Sequence, residues 1–82
     1  MAGKLTLRIF TPDAFREETA DAVYLPSAEA PMELLPSHAP LTAALTGGEI
    51  RWREGERQAS LPILSGAVSV AEDIVTLCVE KA

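Results

Sequence analysis

Covalent catalysis needs a nucleophile with a base to activate it, and this sequence offers one candidate of each kind, Cys78 and the single histidine, His38. Cys78 falls in the alternating segment Ile74-Val75-Thr76-Leu77-Cys78-Val79. That alternation makes it core or sheet surface, and the bland reading of a free cysteine is a small buried hydrophobe. A general base also works with an orienting partner within hydrogen-bond reach, and no second group presents itself for His38. No catalytic residue is therefore assigned. One histidine cannot complete a usual zinc site, and the chain has no H-x₃-H or C-x₂-C spacing and no Asp-rich calcium loop. Gly47-Gly48 lacks the Lys-Ser or Lys-Thr that completes a phosphate-binding loop. Neither a metal nor a cofactor is expected.

The backbone around His38 is a different matter. In Pro36-Ser37-His38-Ala39-Pro40 two prolines fix their own φ and push Leu35 and Ala39 toward extended geometry, so His38 is displayed from a stiff turn. Its imidazole either satisfies a neighbouring backbone group or is presented to a partner, and the residue types alone leave both open.

The elements that must position this turn follow from periodicity. Leu5, Leu7 and Ile9 alternate with polar residues, which puts them on one face of a half-buried strand that ends at Thr11-Pro12-Asp13. Phe15–Thr19 alternates weakly and Asp21–Leu25 better, and the two read as a hairpin-like pair. Ser27–Pro36 reads as a loop with one brief strand near Met32, Leu34 and Leu35. Leu41–Leu45 is a strand, because Pro40 and Gly47-Gly48 leave too little room for a helix. Glu49–Arg53 and Gln58–Leu64 form a hairpin about Glu54-Gly55-Glu56. Ser65-Gly66 then opens a second hairpin, with Ala67–Val70 and Ile74–Val79 as its strands. Short strands at this spacing, with no helical stripe, indicate an all-β sandwich or barrel.

Composition narrows the function. The 82 residues allow one domain with one small core, and Lys plus Arg total 7 against 12 Asp plus Glu, a net charge of −5. The only basic cluster, Arg51, Arg53 and Arg57, is interleaved with Glu49, Glu54 and Glu56, so nucleic acid is not the expected partner. The single cysteine fits a reducing compartment. Neither of the longest uncharged stretches, Leu34–Gly48 and Gln58–Ala71, reaches the ~20 apolar residues of a membrane-spanning helix. The start shows no signal-peptide apolar core, which implies a cytosolic location.

Leu25-Pro26 followed by Leu35-Pro36-Ser37-His38-Ala39-Pro40-Leu41 resembles the LPG…GVLPGHAPL stretch of ATP synthase epsilon subunits. Thr11-Pro12, Asp21-Ala22-Val23, Leu64–Val70 and Val75-Thr76-Leu77-Cys78 are similar to further segments of that family in the same order, nearly across the whole chain. Ser27, Ala30, Glu33, Ser37 and Ser65 stand where the family usually has glycine, and Pro31 lies in the same loop. Glycine adopts positive φ at little cost, so the Ser27–Ser37 loop is expected to differ from the family's path.

The resemblance implies a flattened ten-stranded β-sandwich of the epsilon N-terminal type. It also implies one domain over residues 1–82, without the C-terminal helical hairpin of full-length members. It implies a non-catalytic rotor subunit of a proton- or sodium-translocating ATP synthase, coupling the gamma subunit to the c-ring at the cytoplasmic face of the membrane and touching the catalytic alpha/beta head only indirectly. By position, Glu29 falls in the loop expected to face the polar loops of the c-ring, and Ser37, His38, Pro40 and Thr42 near the expected gamma contact, with Met32 and Ala39 as further partner-binding candidates. The competing reading is a free-standing β-sandwich interaction module whose partner binds away from His38.

Overall fold

The computed structural model describes residues 3–27 and 29–82. Met1, Ala2 and Ala28, the last within the Ser27–Pro36 loop read from the sequence, lie outside the described residues. The described residues form eight strands and no helix: β1 (Leu5–Thr11), β2 (Ala14–Ala20), β3 (Ala22–Leu25), β4 (Met32–Leu34), β5 (Leu41–Leu45), β6 (Gly48–Glu54), β7 (Arg57–Ala71) and β8 (Ile74–Lys81).

The strands join in the order β2-β1-β8-β7-β6-β3-β4, with β5 pairing to β7 on the edge opposite β8, beyond the part that β6 takes. β7 explains how one ladder makes a sandwich. Its first part pairs with β6, and its second part pairs with β8 and β5. Between them the register slips at Ile63/Ser65. One extra residue in a strand reverses which face its alternation presents and sharpens the local bend. Ala59, Leu61 and Ile63 therefore face inward before the bulge, and Gly66, Val68 and Val70 after it. The two layers close on one core that includes Leu5, Leu7, Ile9, Val75 and Leu77 from one side and Val23, Leu34, Ile50, Trp52 and Ile63 from the other. The result is flattened, 35 × 24 × 19 Å.

The all-β sandwich expected from the sequence is the observed fold, with three corrections. Eight strands are described rather than ten. The break expected at Ser65-Gly66 is a bulge inside one 15-residue strand. Phe15–Thr19 and Asp21–Leu25 do not pair with each other: β2 pairs with β1, whereas β3 pairs with β4 and β6. Only Asp21 separates β2 from β3, too short for a two-residue hairpin loop, so the chain passes there from one layer to the other.

Gly66 sits where two strands leave no room for a side chain. A Cβ on it would fall 2.6 Å from Val79 Cγ1 and 2.7 Å from the Cys78 carbonyl oxygen. The β6–β7 turn has Gly55 at φ 62°, the first central position of a two-residue loop that favours glycine. The β7–β8 loop, by contrast, holds Glu72 and Asp73 both at positive φ, 51° and 63°. That is a type I′ turn built without glycine.

Candidate partner interface

The His38 loop leaves β4 at Leu34 and enters β5 at Leu41. Within it the His38 N–H donates to the Leu35 carbonyl at 3.2 Å, closing a four-residue turn. Pro36 occupies the first central position, where its ring forbids positive φ, and Ser37 the second, with φ 70°. Only a type II turn combines those two conditions, and type II normally places glycine where Ser37 stands. Ser37 thus holds the left-handed conformation that this turn type ordinarily assigns to glycine.

Ser37, His38, Ala39 and Pro40 are all exposed, so the structure brings these four predicted residues together on one protruding loop. His38 Nδ1–H donates to the Ala39 carbonyl at 2.7 Å. The imidazole thus satisfies a neighbouring backbone group while its ring stays open to solvent. Thr42 follows on the outer face of β5, also exposed. Glu29 is exposed in the β3–β4 connection, its N–H donating to the Ser27 hydroxyl at 3.4 Å. Met32 is half-buried against the core and lines a shallow depression with Tyr24, Pro26, Pro31, Glu33 and Arg51. It is as much a packing residue as a contact.

One feature of the outer face was not anticipated from the sequence. Strand register aligns Phe15, Phe10, Cys78, Ala67 and Ala44 in a single row across β2, β1, β8, β7 and β5. All five are exposed, Phe10 at 41% and Phe15 at 53%, with their rings 4.8 Å apart. Beside it runs a polar row, Glu17, Arg8, Thr76, Ser69 and Thr42, in which Arg8 and Glu17 pair at 3.3 Å. Cys78 is consequently a surface residue and not the buried hydrophobe expected, because Val75, Leu77 and Val79 take the inward parity of β8. Its paired neighbours in the row are Phe10 and Ala67.

A second polar cluster ties strand ends together. Lys4 reaches Asp21 at 3.1 Å and Glu54 at 3.2 Å. The Gly55 N–H and the Lys4 ammonium hold Asp21 below the ordinary carboxylate value, and the Thr19 hydroxyl and Lys4 do the same for Glu54. Asp21 and then Glu54 raise Lys4. Among the described residues no three His, Cys, Asp or Glu side chains form a metal-ligating group.

Residues 4–82 match the family described as ATP synthase, Delta/Epsilon chain, beta-sandwich domain. The ATP synthase epsilon chain of Synechococcus sp. (strain CC9311) is 38% identical over 79 residues, covering 95% of this chain and 58% of its own length. That of Desulfitobacterium hafniense (strain DSM 10664 / DCB-2) is 32% identical over 83 aligned positions, covering all of this chain and 63% of its own length. The chain thus spans about three fifths of the length of these curated relatives. Among solved structures, a chain of the Euglena gracilis mitochondrial ATP synthase (OSCP/F1/c-ring, rotational state 1) superposes with a TM-score of 0.86 at 21% identity, over 93% of this chain and 50% of that one. A chain of the Tetrahymena thermophila mitochondrial ATP synthase central stalk/c-ring superposes with a TM-score of 0.77 at 16% identity, over 98% and 66%. At those identities the superpositions speak for the fold, while the matches to sequence relatives speak for descent: the chain belongs to the family of ATP synthase delta/epsilon-chain β-sandwich domains.

Proposed function

We propose that this chain serves as a non-catalytic rotor element of an ATP synthase, joining the gamma subunit to the c-ring at the cytoplasmic face of the membrane. Family membership supports the complex. The observation that carries the role is the exposed apolar row from Phe15 to Ala44, which shares its outer face with the polar row that ends at Thr42, between it and the His38 loop. An outward-facing row of this kind, including two aromatic side chains, marks an interaction surface in a soluble domain. A torque-bearing adaptor needs a stiff body and no proton-transfer group. The sandwich with its proline-bracketed loop meets both demands.

In this reading Ser37, His38, Ala39, Pro40 and Thr42 contact gamma together with the apolar row, and Glu29 with Met32 faces the polar loops of the c-ring. The test is co-purification with the gamma subunit encoded in the same genome, at micromolar concentration. The wild-type chain is expected to be retained. Ala44→Glu and Phe10→Glu, which place a charge on the row without touching the core, are expected to weaken retention at least about tenfold, the order of one lost anchor contact. No retention of the wild-type chain, or unchanged retention of both variants, refutes the role.

A further inference from the structure

Among the described residues, the three non-glycine residues with positive φ lie in two connectors that meet each other. Ser37 belongs to the β4–β5 loop, and Glu72 and Asp73 form the β7–β8 turn. The Ser37 N–H donates to the Asp73 carboxylate, Oδ1, at 2.6 Å, and the Thr6 N–H donates to the Asp73 carbonyl at 2.8 Å. Asp73 therefore ties together the start of β1, the β7–β8 turn and the His38 loop.

The bond to Ser37 is informative because of which amide it takes. Type I and type II turns share their first and last residues and differ in the orientation of the central peptide, here Pro36–Ser37. A serine at the second central position favours type I, where φ is negative; glycine removes that preference. In this chain the peptide stands in the type II orientation without glycine, with its N–H aimed at a carboxylate, and hydrogen bonds to an ionised acceptor are among the stronger ones. The identity of Asp73 points the same way. A type I′ turn is most comfortable with glycine at its second central position, yet glycine there would remove the acceptor that Ser37 uses.

We propose that Asp73 is a positioning residue that selects the type II form of the Leu35–His38 turn and thereby sets which backbone groups of the loop face a partner. Loss of its carboxylate lets the Pro36–Ser37 peptide flip toward type I, which reverses the Ser37 N–H and the Pro36 carbonyl on the exposed loop. The consequence for partner binding rests on the rotor reading; the turn selection does not.

The experiment compares wild type, Asp73→Gly and the double variant Asp73→Gly/Ser37→Gly by NMR and by binding to the gamma subunit. Glycine at 73 suits the turn, and the bond from Thr6 uses only the backbone, so both variants are expected to fold with an unchanged or raised Tm. In Asp73→Gly the strong nuclear Overhauser contact between Pro36 Hα and Ser37 HN, a mark of type II, is expected to weaken. Exchange of the Ser37 amide is expected to quicken about tenfold as its acceptor is lost. The double variant should regain the type II contact without the carboxylate. Affinity for gamma is expected to fall about tenfold in the single variant and to recover in the double. A Pro36–Ser37 contact unchanged in Asp73→Gly overturns the proposal, as does a flipped turn that the second glycine does not restore. Failure of the wild-type chain to bind gamma defeats the rotor reading and leaves the NMR comparison to decide the turn.

Discussion

Ser37 shows how a backbone requirement is met against residue preference. Holding a non-glycine residue in the left-handed region costs roughly 1–2 kcal/mol, and Ser37 sits there at φ 70° with Pro36 preceding it. Ser37→Gly is accordingly expected to stabilise the chain by about 0.5–1 kcal/mol, after allowing for the greater freedom of glycine when unfolded. In a domain of this size that is a rise in Tm of about 2–8 °C, read by thermal unfolding. The Lys4 cluster makes a pH prediction. Asp21 and Glu54 lie below their ordinary values of 3.8 and 4.5, so their contribution is complete above those values and is lost as pH falls through the lower folded ones. Lys4 lies above its ordinary 10.5, so its contribution is complete below 10.5 and is lost as pH rises beyond. Urea midpoints should be level from about pH 5 to 10 and fall on either side. Lys4→Met should abolish the alkaline fall due to this cluster and shrink the acid one. At this scale the proline pair around His38 was legible in the sequence, because proline restricts φ wherever it occurs. The outward parity of Cys78 and Phe10 was not, since it depends on which neighbours claim the core.

Strands β1 and β5 and the Gly55 hairpin could be read directly, because alternation and turn residues are local signals that tertiary contacts here reinforce. β7 could not. Ser65-Gly66 looks like punctuation, yet it lies in a strand that continues across both layers, and its glycine answers to a distance rather than to a turn. Val79 and the Cys78 carbonyl leave no room for a Cβ at position 66. Gly66→Ala must force β7 and β8 apart just beyond the bulge, where one strand links the two layers. The expected loss is about 1–3 kcal/mol, the usual range for overpacking, measured as a lower urea midpoint. An unchanged midpoint would show that the bulge absorbs a methyl group, and that the long strand is not held by this approach. The pairing of β2 with β1 was likewise hidden from local pattern, because only the length of the Asp21 connector distinguishes a layer crossing from a hairpin.

For the molecule as a whole, size decides how much a partner matters. A domain of 82 residues is expected to have a net stability of about 4–12 kcal/mol, so its apolar outer row and strained loop are carried on a modest reserve. A partner that binds only the folded chain adds stability by mass action, about 2.7 kcal/mol when present at 100 times its Kd. At roughly 4–8 °C per kcal/mol for this size, the proposed rotor role implies that the gamma subunit at 100 times its Kd raises Tm by about 10–20 °C. Phe10→Glu, altered on the solvent side of β1, should cost the free chain no more than its ring contact with Phe15 while a roughly tenfold weaker Kd removes about half of that rise. A charge that lowered the free chain's own Tm by as much as it reduced the gain would mean that Phe10 supports the sandwich rather than the contact. An undiminished gain would place gamma elsewhere, because a ligand can stabilise a fold only through contacts that the unfolded chain lacks.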